Sequence, residues 1–120
     1  LDVRFSIERF NPEETEMIQY AFDDDISPMD AVHDNYILKR RASLEDADVG
    51  IKKELPKSVL FPGYIQIVEG ARSDYGNPAT YMTATLEIGG DYFVVQMIGR
   101  EENMGYLYDD FIDILSTFKL

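Results

Sequence analysis

The alternation of apolar and polar residues is clearest between Thr80 and Ile98, where two β-type runs are joined by Gly89-Gly90. Because both central residues of the favoured hairpin turns have φ > 0, the glycine pair predicts a tight turn with Ile88 opposite Asp91. This register gives the hairpin one apolar face, which consists of Met82, Ala84, Leu86, Phe93, Val95 and Met97. The other face is mixed, so we expect an antiparallel sheet with one covered face and one partly wet face.

Two runs near the N-terminus also have apolar residues at every second position. The first, Asp2–Phe10, predicts a strand that is buried on one side. Its apolar side consists of Val3, Phe5 and Ile7. The second run, Met17–Phe22, is interpreted as a strand that forms a hairpin with the first. A short helix is the alternative for this second run, because Asn11-Pro12 is also typical of a helix start.

The helical predictions start at Ser27-Pro28, which combines an N-cap serine with proline at the first helical position. We expect a helix over about residues 28–55, either continuous or broken near Arg41–Ser43, where a second cap-like sequence begins. A last helix is predicted over about residues 105–118, and its apolar stripe should pack on the apolar face of the hairpin. Helices interspersed among antiparallel strands indicate an α+β fold with a sheet of about five strands and helices packed on it.

Composition adds one unusual feature, which is the charge. The 120 residues contain 11 Lys and Arg against 23 Asp and Glu, so the net charge is −12, and cysteine is absent. We expect one domain over residues 1–120, because a chain of this length can bury a core without cross-links. The negative charge disfavours nucleic acid and anionic membranes, since both would repel it. A basic protein partner is favoured instead, although solubility explains the same charge more simply.

Asp30, His33 and Asp34 share one face of the predicted helix through their i, i+3 and i+4 spacing. Carboxylate and imidazole groups together suit zinc or manganese, so these residues are weak metal candidates. The simpler interpretation is that carboxylates near a helix start interact with the helix dipole. His33 is the single histidine, and no nucleophile elbow or phosphate loop accompanies it. We therefore expect no enzymatic activity and no cofactor.

Tyrosines cluster in the second half of the chain and are the candidates for protein binding. These residues are Tyr75, Tyr81, Tyr92 and Tyr106. Tyrosine is favoured at protein interfaces because its side chain is large, stiff and amphipathic. For Tyr81 and Tyr92 the simpler role is to cover the mixed face of the sheet.

Three motifs in the second half of the chain have a common pattern. Pro62-Gly63-Tyr64 enters a strand after a helix, Gly76-Asn77-Pro78-Ala79 starts another strand, and residues 111–118 form a closing F-x-x-I-L-x-T-F helix. Together they resemble the PsbP-like superfamily, which includes bacterial DcrB-type lipoproteins, Mog proteins and secretion chaperones. The chain departs from this family in lacking tryptophan and in having two predicted strands, rather than three, before the last helix.

The resemblance implies a non-enzymatic protein-binding domain, either the soluble part of a bacterial envelope lipoprotein or a secretion chaperone. Because the sequence starts at Leu1 without methionine, we expect an upstream signal or lipid anchor, which would tether the domain to a membrane. The alternative is an acidic inhibitor or immunity-type protein that blocks a basic enzyme surface with its carboxylates. Those carboxylates would be Asp23, Asp24, Asp25, Asp30 and Asp34. An enzyme with a carboxylate or metal site is the third interpretation.

Overall fold

Six antiparallel strands and three helices make up the part of the chain that the computed structural model describes, which is residues 3–22, 25–72, 78–100 and 104–119. The elements are β1 (Arg4–Phe10), α1 (Pro12–Phe22), α2 (Pro28–Ala42), β2 (Leu44–Val49), β3 (Lys53–Glu54), β4 (Gly63–Arg72), β5 (Pro78–Ile88), β6 (Asp91–Gly99) and α3 (Met104–Ser116). The strand order is β1-β6-β5-β4-β2, and β3 also pairs with β4. The predicted α+β fold is confirmed.

The glycine hairpin has the predicted register. Ile88 lies opposite Asp91, and Gly89 and Gly90 have φ values of 60° and 88°. The apolar face of β5 and β6 packs against α3, as predicted, with Phe111 at the centre of the contact. The buried residues of this core are Val59, Phe61, Ile65, Met82, Ala84, Leu86, Val95, Met97, Leu107, Phe111 and Leu115.

The opposite face of the hairpin is not wet, which corrects the prediction. Helix α2 covers this face, and the polar residues Thr83, Thr85 and Gln96 are fully buried beneath it. A second, smaller apolar cluster joins Ile37 of α2 to Val68 and Tyr81 of the sheet. The hairpin of β5 and β6 is therefore covered on both sides.

Residues 12–22 form helix α1, so the strand predicted over Met17–Phe22 is wrong and the helical alternative is right. The Asn11 side chain accepts a hydrogen bond from the backbone N–H of Glu14 at 2.8 Å. In return, the Glu14 carboxylate accepts from the backbone N–H of Asn11 at 3.2 Å. This reciprocal cap starts the helix, and Pro12 suits its first position.

Helix α2 starts at Pro28 as predicted but ends at Ala42, so the predicted extension to residue 55 is wrong. The backbone N–H of Ser43 caps the last carbonyls of α2, and the chain then runs as β2 along the edge of β4. Asp46 has a φ of 50°, which a helix does not allow. The apolar spacing in this segment fits a strand as well as a helix, and β4 supplies the hydrogen-bond partners that decide between them.

Strand β1 also differs from expectation. It pairs with β6 along its whole length, but its apolar side is not buried. Phe5 and Ile7 are 44% and 53% exposed. Pairing with β6 is therefore the main contact that holds this strand in place, and no helix of the described residues covers its apolar side.

Replacement of Phe111 by alanine tests the packing of α3. Because the side chain is fully buried against the hairpin, Phe111→Ala should lower the free energy of unfolding by about 3–5 kcal/mol. Tyr106→Ala on the exposed side of the same helix is the control and should change it by less than about 0.5 kcal/mol. Urea unfolding followed by circular dichroism measures both. Equal losses in the two variants would contradict the packing.

Candidate functional site

A polar cluster lies between the start of α2 and the segment that follows β2. The Lys52 ammonium donates to Asp30 at 2.8 Å and to Asp34 at 3.0 Å, so one cation links two carboxylates on adjacent turns of α2. The same ammonium lies 4.8 Å from the centre of the Tyr64 ring. The cluster attaches the segment after β2 to both α2 and β4.

The charges in this cluster stabilise one another. The hydrogen bond from Lys52 lowers the pKa of Asp30, and this effect exceeds the opposing effect of burial. Burial opposes the charge on Lys52, but its hydrogen bonds to Asp30 and Asp34 together raise the pKa of the ammonium. Burial and the nearby Asp30 carboxylate raise the pKa of Tyr64. Asp30 and Lys52 are therefore ionised, and Tyr64 is neutral, at physiological pH.

His33 is fully buried between α2 and the sheet. Its Nε2 lies 2.9 Å from Oε1 of Gln66, and Nε2 must donate because that oxygen only accepts. The amide orientation is fixed because Gln66 Nε2 donates to the carbonyl of Gly50 at 2.8 Å. In the neutral ring, Nδ1 then accepts from the Thr85 hydroxyl at 2.8 Å. Burial lowers the pKa of His33, so the neutral ring is favoured.

The three weak metal candidates do not form a ligand set. Asp30 and Asp34 bind Lys52, whereas both ring nitrogens of His33 are occupied by Thr85 and Gln66. Among the described residues there is no group of three or more histidine, aspartate or glutamate side chains placed to hold a metal ion. Asp30 and Asp34 point to Lys52 whereas His33 points to the sheet, so the face predicted for all three residues holds only for the two carboxylates.

A groove of about 410 Å³ opens beside this cluster, between the start of α2 and the segment that joins β3 to β4. Its lining is mostly apolar and consists of Met29, Leu55, Pro56, Val59, Leu60, Phe61, Pro62 and Gly63, with Glu54, Lys57 and Tyr64 as polar members. Leu60 is 67% exposed. The volume lies within the range of binding pockets, and an exposed leucine at an apolar groove is typical of a contact site.

The wall of the groove is fixed to the sheet by backbone contacts. Leu55 donates to the carbonyl of Gly63 at 3.0 Å, and Glu87 of β5 donates to the carbonyl of Pro62 at 3.0 Å. A side chain at Gly63 would overlap the carbonyl oxygen of Thr85, so only glycine allows this close approach. Tyr64 belongs to both features, because it lines the groove and its ring lies under the Lys52 ammonium.

The walls of the groove are complementary in character to apolar side chains. The polar groups at its surface are a carboxylate, an ammonium and a phenol, which suit orientation of a bound segment. His33 cannot act as a base there, because it is fully buried with both nitrogens hydrogen-bonded.

The tyrosine candidates are dispersed. Tyr81 is only 2% exposed, and the guanidinium carbon of Arg40 lies 4.4 Å from the centre of the Tyr81 ring. Tyr81 is therefore a core residue and not a surface contact. Tyr92 is partly buried, and burial and Glu87 raise its pKa. Tyr106 is 81% exposed on α3, across the sheet from Tyr92. Tyr75 lies outside the described residues.

Sequence reasoning missed the groove because it assigned no role to residues 57–61. A signal was present, since three consecutive apolar residues, Val59-Leu60-Phe61, lie between Pro56 and Pro62. Connecting segments are usually polar and exposed. An apolar run between two prolines therefore indicates either a core contact or an exposed apolar surface, and in this run Val59 and Phe61 are buried whereas Leu60 is exposed.

Comparison with known proteins identifies no relative: no protein-family model, curated protein or solved structure matches the chain significantly. None of the helices in the described part of the chain has the length and apolar character needed to span a membrane.

The pH dependence of folding tests the buried state of His33. Because its folded pKa lies below the ordinary histidine value of about 6.5, the unfolded chain binds the proton more readily. Stability should be full above about pH 6.5 and fall as the pH drops towards the folded pKa, by at most about 1.4 kcal/mol per pH unit.

His33→Gln removes the only histidine of the chain and is the matched control. We expect the variant to be less stable at pH 7.5, because a buried hydrogen-bond network is disturbed, but to lose less stability between pH 7 and 5.5. Urea unfolding at each pH measures both proteins. Parallel pH profiles would show that the ring is not held neutral.

Proposed function

We propose that this chain is a non-enzymatic protein-binding domain and that the apolar groove beside α2 receives an apolar segment of its partner. The observation that carries the proposal is Leu60, which is 67% exposed at a groove of about 410 Å³ with mostly apolar walls. Burying such a leucine contributes about 1.5–3 kcal/mol to binding. The rigid attachment of the groove to the sheet limits the entropy that binding would cost.

The family part of the proposal is a PsbP-like domain, either the soluble part of a bacterial envelope lipoprotein or a secretion chaperone. Its support is the sequence resemblance of three motifs, one of which, Pro62-Gly63-Tyr64, lines the groove and follows β3 in place of the predicted helix. A chaperone or envelope adaptor needs a surface for apolar segments of other proteins, and the groove has this character. Tethering through an upstream anchor belongs to the same proposal.

The charge suggests which partners the groove would accept. The chain has a net charge of −12, so a partner whose apolar segment has basic flanks would be attracted. The acidic-inhibitor alternative has less support, because Asp30 and Asp34 already bind Lys52. Asp23 and Asp24 lie outside the described residues.

Site-specific crosslinking tests the groove. A photoreactive amino acid is placed at Leu60 or, as control, at Leu38, an equally apolar residue of α2 that is 52% exposed and outside the groove lining. Proteins crosslinked in cells of the source organism are identified by mass spectrometry, and the candidate is then purified. We expect an adduct from Leu60 that Leu38 does not give.

Binding of that purified partner is then measured by calorimetry with Leu60→Glu and Leu38→Glu. Leu60→Glu should weaken binding by about tenfold or more, because a charge replaces a buried leucine, and Leu38→Glu should change it less than about twofold. Binding should persist in 0.5 M salt. Loss of binding at modest salt, with both variants binding alike, would favour the acidic inhibitor.

A further inference from the structure

The outer edge of β1 is the second unusual surface of the molecule. β1 is a terminal strand of the sheet, and all residues from Arg4 to Arg9 are exposed, on both faces. Phe5 and Ile7 form an apolar row on the α3 side, and Arg4, Ser6 and Glu8 point to the opposite side. A regular edge strand with an apolar row is a template for pairing with another strand.

The opposite edge of the sheet, formed by β2, is protected against pairing with another strand, unlike β1. In β2 the register with β4 shifts between Glu45 and Asp48, and Asp46 has a positive φ. This bulge and the three acidic side chains are devices that prevent edge pairing. In β1, by contrast, seven residues pair one to one with β6 without a shift, and none is proline or glycine.

The sequence of β1 is complementary to itself in one antiparallel register. Two copies of a strand related by a two-fold axis must be centred on a residue, because opposing residues share their hydrogen-bonding direction. Centred on Ser6, the pairing puts Arg4 opposite Glu8 of the second copy, and Phe5 opposite Ile7. Because the axis repeats each contact, two salt bridges form on one face and two apolar pairs on the other.

Neighbouring registers lack this match. Centring on Phe5 also gives apolar pairs, Phe5 with Phe5 and Val3 with Ile7, but puts Arg4 opposite Ser6 without a charge partner. Centring on Ile7 puts Arg4 opposite Phe10 and Phe5 opposite Arg9. Only the Ser6 register pairs opposite charges and keeps aromatic with aliphatic residues. Cross-strand pairs of these kinds are the main side-chain contribution to sheet stability.

We propose that β1 pairs with β1 of a second copy of this chain, antiparallel and centred on Ser6, so that the two sheets join into one. The exposed residues Phe5 and Ile7 cover each other across the two-fold axis, which explains why they are not buried within one chain. The occupant is a second copy rather than another strand because charge and shape match in one register. β1 also carries two arginines and one glutamate, so this edge is free of the repulsion expected between chains of net charge −12.

Charge exchange tests the pairing by sedimentation velocity over a range of concentrations. The wild-type chain should dimerise, and Arg4→Glu or Glu8→Arg should each weaken the dimer about tenfold or more, because two attractive pairs become repulsive. The double variant should restore the affinity. An equimolar mixture of the two single variants should also form a heterodimer, since each charge again faces its opposite.

Cysteine crosslinking tests the register independently, because the chain has no cysteine of its own. In the proposed dimer the two copies of Ser6 face each other, so Ser6→Cys should crosslink with oxidised glutathione. Arg4→Cys is the matched control and should not crosslink, because its two copies would be about 13 Å apart.

Thermal unfolding of each variant first establishes that it is folded. A wild-type chain that is monomeric at high concentration would overturn the proposal. A dimer that is unaffected by charge exchange, or that crosslinks equally through both cysteine positions, would overturn it as well. A strand from a different protein that occupies this edge and excludes self-pairing would do the same.

Discussion

The structure depends on burying a polar sheet face under α2. Thr83, Thr85 and Gln96 are fully buried there, and each would destabilise the fold if it lacked a hydrogen-bond partner. His33 bonds to Thr85, and Arg40 donates to the Gln96 oxygen at 2.6 Å while the Gln96 amide donates to Thr83 at 2.9 Å. Two polar contacts, two helical turns apart on α2, therefore fix how the helix lies on the sheet.

The position of α2 determines the rest of the molecule. Because α2 is fixed on the sheet and ends at Ser43, the chain that follows lies along the edge of β4 and pairs with it as β2. Asp30 and Asp34 then bind Lys52, which follows β2 in the sequence, and Met29 lines the groove. The same helix thus supports the buried network on its inner side and one wall of the candidate site at its start.

Local signals predicted the elements that local chemistry determines. The glycine pair, the Ser27 cap and the apolar stripe of α3 each act within a few residues, and all three predictions are confirmed. The cover on the mixed face depends on pairs such as His33 with Thr85, which are 52 residues apart. Alternating polar residues look the same whether water or a buried side chain satisfies them, so the pattern alone could not predict α2 there.

Strand β2 and helix α1 were harder to predict, because each could be assigned to more than one secondary structure from its own residues. Strand β2 exists because β4 offers hydrogen bonds to it, and its own residues fit a helix equally well. For α1, the reciprocal cap of Asn11 and Glu14 was visible in the sequence, but the alternation in Met17–Phe22 was given more weight. Within the candidate site, helical spacing placed Asp30 and Asp34 side by side correctly. At 100° per residue, His33 lies 100° from Asp34, which is enough to turn it towards the sheet.

The two proposed surfaces lie at opposite edges of the sheet. β1 ends one side of the strand order, whereas the groove belongs to the segment that joins β3 to β4 near the other side. A dimer through β1 would therefore leave both grooves open, at the far ends of one continuous sheet. Two sites held at a fixed separation bind a partner with repeated apolar segments more tightly than one site does, provided that the spacing matches. Pairing through β1 would in that case strengthen binding at the groove, because a partner would contact two grooves of one dimer instead of one groove of a monomer.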